Sequence, residues 1–334
     1  MTGLFSLLKQ GSMSSLIAAI VNFILGCLKF GAYVITGNVA MFAEMMHSFG
    51  DAANQFFVFV GSAVSKKKPN ERFPFGYGRL VNIVCLFAVL IVAILAYETI
   101  LEGIHHITNP VHHEQPLNHF LIAAGVLLIG IFLEVGVLYK AGKEVLEEAH
   151  KPTTGLHPLT TSYLNIAKAK PATKLVFMED TVATGGGVIA LLAIIIARYT
   201  GFVQIEGIVS VIIGLAMFYV VYKVFMENAA GAIGRADEEM EVHASKVILE
   251  HPEVSDIKRL VVMKEGEDKH VEALIEVQNH EFNLRQLTEI KKEITNNLLQ
   301  QPHVTDVNIE IMEDDGLDDW KSGNGSSINR NIYE

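Results

Sequence analysis

Cysteine is close to absent from this chain of 334 residues: Cys27 and Cys85 stand alone, each inside an apolar run. Two isolated thiols make neither a disulfide framework nor a thiolate metal motif, and they read as lipid-facing or core residues. Charge is scarce as well, at 19% of residues against 50% hydrophobic, and it is uneven. Acidic residues dominate after Arg235 and carry much of the net charge of −11. That half therefore offers no basic patch, which excludes a nucleic-acid partner. Met1 to Ser15 lacks the strongly basic start of a cleavable leader. His-Glu-x-x-His on an apolar run is missing too, and Glu179-Asp180 cannot replace it, so an intramembrane metalloenzyme is excluded. The chain reads as a non-enzyme with no prosthetic group.

Apolar sequence is what the chain has in quantity. Six runs approach the roughly 20 residues that cross a bilayer core: Leu16 to Ile35, Val39 to Val64, Leu80 to Ile100, Phe120 to Leu138, Leu175 to Ala197 and Ile205 to Tyr222. Basic residues fall on the even links. Lys66, Lys67, Lys68, Arg72 and Arg79 follow the second run, and Lys140, Lys143, Lys151, Lys168, Lys170 and Lys174 follow the fourth. The third link, His105 to His119, has neither lysine nor arginine. With Lys9 ahead of the first run, this bias puts both termini and the even links in the cytoplasm.

The remainder follows the periods of a soluble domain. Glu238 to His251 fits an amphipathic helix, and Leu284, Leu287, Ile290, Ile294 and Leu298 recur at helical spacing. Asp256 to Lys264 is apolar and β-branched, while Val271, Ala273, Ile275 and Val277 alternate, as do Val307, Ile309 and Ile311. The expected fold is an α-helical membrane protein of six transmembrane helices, followed by a small cytoplasmic α+β domain of order αββαβ, with an antiparallel or mixed sheet. The boundaries read from the sequence are 1–234 for the membrane domain, 235–312 for the α+β domain and 313–334 for an acidic tail without structure.

Within the second run, Glu44, His47, Asp51 and Gln55 fall on one helix face, with Asn54 beside them. Ionisable residues in a membrane are costly and mark function by default; the plainer alternative is interhelical packing glue. An imidazole and a carboxylate one turn apart can hold a divalent cation. At the start of the fifth run, Asp180 and Thr184 repeat that spacing, ahead of Gly185-Gly186-Gly187, which permits a close helix approach. Glu179 reads as a helix-start carboxylate. The histidines from His105 to His119, with Glu114, read as solvated interfacial residues rather than a metal motif. Lys29 and Glu134 are the other deep charges, while Glu98, Glu102 and Glu206 sit near the outer ends.

These features resemble the cation diffusion facilitator family across nearly the whole chain, from Ser14 to Met312. The short turn Thr36-Gly37-Asn38 and the Phe75-Gly76-Tyr77-Gly78-Arg79 loop are similar to that family as well. The resemblance implies a divalent cation site of His47, Asp51, Asp180 and Thr184, and the Glu-Asp-x3-Thr pattern is similar to its mitochondrial or nuclear zinc-transporter branch. Thr184 stands where the family usually has aspartate, which leaves three strong ligands and a weak fourth; whether Thr184 or Glu179 completes the site stays open. Tyr77 replaces a loop histidine, so the accessory site is not expected. Lys258, Leu274, Glu310 and Met312 are unsuited to the family's metal-cemented dimer. The domain is left to pair as a homodimer through apolar faces, with Glu265, Glu267, Asp268 and Glu272 as solvated surface.

What the resemblance implies for function is secondary active efflux of a divalent cation against protons by alternating access. Metal ligands must be deprotonated to bind, so protons and metal compete, and His47 is the expected coupling residue because imidazole is the side chain that ordinarily changes charge near physiological pH. A histidine among oxygens leans towards Zn2+, with Mn2+, Co2+, Fe2+ and Ni2+ as alternatives. The competing class is a non-transporting membrane scaffold. Compact length and the missing leader favour a bacterial inner membrane.

Overall fold

The computed structural model describes residues 11–74, 76–110, 116–169, 171–266, 268–278 and 281–320. Lys9, Phe75, His112, His113, Glu114, Lys170, Glu267 and the tail beyond 320 lie outside the described residues. Contacts divide the described chain into two units, one of residues up to 63 with 84–228, the other of 64–83 with the residues from 229 on.

Six long helices carry the first unit: α1 (Met13–Thr36), α2 (Val39–Ser65), α3 (Leu80–Thr108), α4 (Leu117–Glu148), α6 (Pro171–Thr200) and α7 (Gln204–Ile233). Five of them are long and apolar enough to cross a membrane. The sixth, α2, has 27 residues, about 40 Å of helix, and its polar stripe lowers its hydropathy. The burial pattern supports a lipid-facing exterior. Large apolar side chains such as Phe23, Leu90, Ile94, Leu121 and Phe132 point outward. The interior is instead built from small residues: Ala32, Ala40, Ala43, Ala96, Ala123, Ala190 and Ala193 cluster with Met41, Leu127, Ile194 and Met217. Small residues let helix backbones approach where no water drives them together. Gly103 on α3 and Gly207 on α7 show the limit, since a Cβ on either would fall within 2.7 Å of the other's carbonyl oxygen.

The fourth link, read from its lysines as a loop, holds a short helix α5 (His157–Asn165) and a 3-10 turn (Ile166–Lys168). Leu159 and Ile166 close a small core with Leu138, Val145 and Phe177. Its nine residues are too few and too polar to register as an apolar run. Helix α4 runs past its apolar stretch to Glu148, where Lys143 and Glu147 form an exposed i,i+4 pair at 3.7 Å.

The second unit has the expected order: α8 (Glu238–Leu249), β1 (Val254–Glu265), β2 (Asp268–Val277), α9 (Leu284–Leu299) and β3 (Val304–Glu313). The sheet is mixed, β1–β2 antiparallel and β2–β3 parallel, with β2 central. Met240, Ala244, Ile248, Ile290, Ile294 and Leu298 from the helices share a core with Ile257, Leu260, Val262, Val271, Ile275 and Ile309. Asn283 and Gln286 form a reciprocal capping box at the start of α9.

The link at 64–83 groups with this unit rather than with the helices. Arg79 bonds Glu265 at 2.6 Å, and Lys67 lies 4.7 Å over the Tyr77 ring. Glu265 is correspondingly buried, paired also with His270 at 3.3 Å, and is not the solvated surface residue expected from sequence. Residues 314–320 also differ from the structureless tail: Asp319 and Trp320 donate backbone N–H bonds to Asp256 Oδ2, and Trp320 packs on the core.

Asp237 caps α8, accepting from Met240 N at 3.1 Å and pairing with Lys269 at 3.0 Å. Burial alone would raise its carboxyl, but the Met240 N–H and the Lys269 ammonium hold it below the usual value. A carboxylate depressed in the folded state stabilises above its unfolded pKa, and that contribution is lost as pH falls through the folded value. Asp237→Ala is expected to cost about 1 kcal/mol at neutral pH. The gap from the parent should close below the ordinary Asp range near pH ~4, read by denaturant unfolding at Trp320.

Candidate metal centre

Helix α2 enters through Asn38, whose side chain accepts from Met41 N at 2.9 Å and fixes the first turn. From there the 3.6-residue period turns Glu44, His47 and Asp51 inward in register. Glu44 is fully buried, His47 is 5% exposed, and Asp51 is half-buried. His47 Nε2 lies 3.4 Å from Asp51 Oδ2, within ion-pair range but making no hydrogen bond.

On α6, Asp180 and Thr184 lie one turn apart, with Thr184 buried. Threonines in these helices ordinarily return the hydroxyl to the carbonyl four residues back: Thr181 donates to Phe177 O at 2.7 Å, Thr99 to Leu95 O and Thr200 to Ile196 O. Thr184 does not, and its Oγ1 is buried without a hydrogen-bond partner. Asp180 Oδ2 and His47 Nε2 share that condition. Three of the four expected donor groups are therefore left unsatisfied inside the protein, where an unmet polar atom costs about 1–3 kcal/mol. Asp180 is in electrostatic range of Asp51 and His47. The three are not drawn together within 4.8 Å, a condition that two carboxylate groups of the second unit do meet among the described residues.

Glu179 shares a cleft with Asp51, Asn54, Val89, Val92 and Val221. It thus faces the same region as the α2 pair, not a helix end. Gly186 of α6 sits against α2, where a Cβ would come 2.7 Å from Glu44 Oε1. A larger residue there would have to displace the Glu44 carboxylate.

One set of residues beside the stripe was visible in the sequence only as isolated charges. Lys29 of α1, 1% exposed, bonds Glu44 Oε2 at 2.7 Å and Glu134 Oε1 of α4 at 3.2 Å. The remaining oxygens, Glu44 Oε1 and Glu134 Oε2, are buried without hydrogen-bond partners. Glu44 stands one turn before His47, so the triad ties α1, α2 and α4 next to the candidate ligands. Glu206, in the first turn of α7 near the outer end as expected, is 4% exposed, its carboxylate facing Asn38 and the Val39 N–H. His106 bonds the Val203 carbonyl at 3.1 Å, and His105 is exposed. In the second unit Lys258 is spent on Asp315 and Asp319, while Leu274 pairs across the sheet with Arg259 and Glu310.

Comparison with known proteins gives the geometry a family. Residues 15–231 match the cation efflux transmembrane domain, most of the chain. The protein belongs to this family, the cation diffusion facilitators, and is an integral membrane protein. It is 26% identical over 244 residues to a mouse protein named proton-coupled zinc antiporter SLC30A9, mitochondrial, covering 73% of this chain and 41% of the relative. Metal tolerance protein C4 of Arabidopsis thaliana is 28% identical over 228 residues, 68% and 48% of the two chains. Zinc transporter ZitB of Yersinia pestis is 22% identical over 209 residues, 63% and 59%. The match therefore spans less than half of the mouse and plant relatives.

Proposed function

We propose that the protein is a secondary active transporter that exports a divalent metal cation in exchange for protons, with Zn2+ as the first candidate substrate. The observation that carries this reading is the set of buried donor atoms without hydrogen bonds, His47 Nε2, Asp180 Oδ2 and Thr184 Oγ1, beside the Asp51 carboxylate. An ion arriving among them satisfies atoms that the protein alone leaves unmet. One imidazole nitrogen with carboxylate and hydroxyl oxygens suits zinc, and Mn2+, Co2+, Fe2+ and Ni2+ remain competitors. Two relatives carry zinc transport in their names, and the resemblance to the mitochondrial branch fits the first of them.

Proton exchange follows from the ligands themselves. Protonated His47 or Asp180 cannot coordinate, so loading expels protons and outward release lets them return. The basic even links support cytoplasmic termini, and a bacterial inner membrane is the location we propose. In this reading, residues 1–234 carry transport, 235–312 pair two copies through the domain, and 313–334 follow.

The test is zinc flux in proteoliposomes with an imposed pH gradient. Uptake should follow the gradient in the parent and fall to the empty-vesicle level in His47→Ala and Asp51→Ala. Gradient-independent flux, or parent-like flux in both variants, overturns the reading.

A further inference from the structure

The face of the sheet away from α8 and α9 carries an arrangement that no transport step uses. Asp256 on β1 and Glu276 on β2 are direct register partners, two carboxylates opposed across an antiparallel pair. Like charges so placed are destabilising unless something neutralises them. After β3 the chain folds back over this face, and its Asp314, Asp315 and Asp319 add three more carboxyl groups. Donor atoms of Asp256, Glu276 and Asp319 lie within 4.8 Å of one another, and so do those of Glu276, Asp314 and Asp315.

One ammonium, that of Lys258, reaches three of the five. Lys258 Nζ is 2.6 Å from Asp319 and 2.7 Å from Asp315, but 3.6 Å from Glu276. Glu276 is 0% exposed, and neither of its oxygens has a hydrogen-bond partner. A fully buried carboxylate that faces a carboxylate cluster with no hydrogen bond, its cation 3.6 Å away and spent on Asp315 and Asp319, is a place where a further cation would bind. The donors are all hard oxygens, the set that suits calcium, magnesium or manganese rather than zinc. Of the four positions read from sequence as unsuited to the family's metal-cemented dimer, Lys258 enters this cluster as the competing ammonium, and Leu274, Glu310 and Met312 are not among its carboxylates.

We propose that Asp256, Glu276 and Asp319, supplemented by Asp314 and Asp315, form a binding site for a hard divalent cation, calcium foremost, in competition with the Lys258 ammonium. Occupancy fastens the segment 314–320 to the sheet more firmly than the Lys258 ion pairs and the Asp256 hydrogen bonds do by themselves. The site lies within a single copy of the chain and does not depend on the transport reading.

Trp320, the only tryptophan of the chain, sits on that segment and packs against the domain core. Calcium titrated into the purified full-length protein in detergent should give a saturable change in Trp320 emission. Glu276→Gln should weaken the midpoint at least tenfold, and Asp319→Asn, off the sheet and thus safer for folding, should do the same. Lys258→Met should tighten it about tenfold, and His47→Ala should leave it unmoved. The absence of a saturable response up to millimolar calcium, a parent-like midpoint in Asp319→Asn, or no tightening in Lys258→Met overturns the proposal.

Discussion

Asp180→Asn is expected to give a protein that is more thermostable without metal than its parent, yet gains nothing when zinc is added. Asp180 Oδ2 is buried with no hydrogen-bond partner, so in the empty protein its carboxyl pays desolvation without return. An amide of the same shape lowers that cost. The parent, at a zinc concentration 100 times its Kd, should gain about 2.7 kcal/mol from binding. The asparagine variant should gain close to none, and its flux should fall to the background level. Stability and function then move in opposite directions, as they do where a site is held under strain for its ligand. A purely structural Asp180 predicts the reverse: a destabilised variant whose zinc response survives. Thermal unfolding with and without zinc separates the two.

Lys29→Met should be the most destabilising single substitution in the helical unit. It leaves Glu44 and Glu134 facing each other in the interior with no counter-charge, since Lys29 holds one oxygen of each. Breaking a buried pair by removing one partner costs about 3–5 kcal/mol, much of it the penalty of the stranded charges. Removing the whole triad should cost far less, because well-packed neutral groups often replace buried ion pairs without loss. The combination Lys29→Met, Glu44→Gln and Glu134→Gln should therefore recover most of the folded yield that Lys29→Met loses. If the triple variant is as unstable as the single one, the triad is a packing element and its charges are incidental.

Where the sequence was informative, a period carried the information. Strict alternation at Val271, Ala273, Ile275 and Val277 gave the central strand, and the spacing from Leu284 to Leu298 gave α9, because each places one face of a regular element in a core. The stripe of Glu44, His47 and Asp51 was legible for the same reason, and family resemblance pointed across to Asp180 and Thr184. What a period does not carry is the partner of a side chain. Lys29 meets Glu44 and Glu134 across 15 and 105 positions, a matter of which helix crosses which at what height. The place of Glu206 near a helix end was legible but its burial was not, since that depends on α2 beginning against it and covering it. Residues 314–320 looked structureless from their polarity. Their order comes from Asp256 and Lys258 some 60 positions earlier, which take up the backbone N–H groups and the acidic side chains.

The central claim is that His47 supplies the one nitrogen in a cation site completed by Asp51, Asp180 and Thr184. X-ray absorption at the zinc edge, on full-length protein loaded with one equivalent of zinc, tests it most directly. The geometry predicts a shell of a single imidazole nitrogen with oxygen neighbours and no sulfur, and the loss of the imidazole scattering in His47→Ala. An imidazole signature that persists in His47→Ala, or a shell of oxygens alone in the parent, would contradict it.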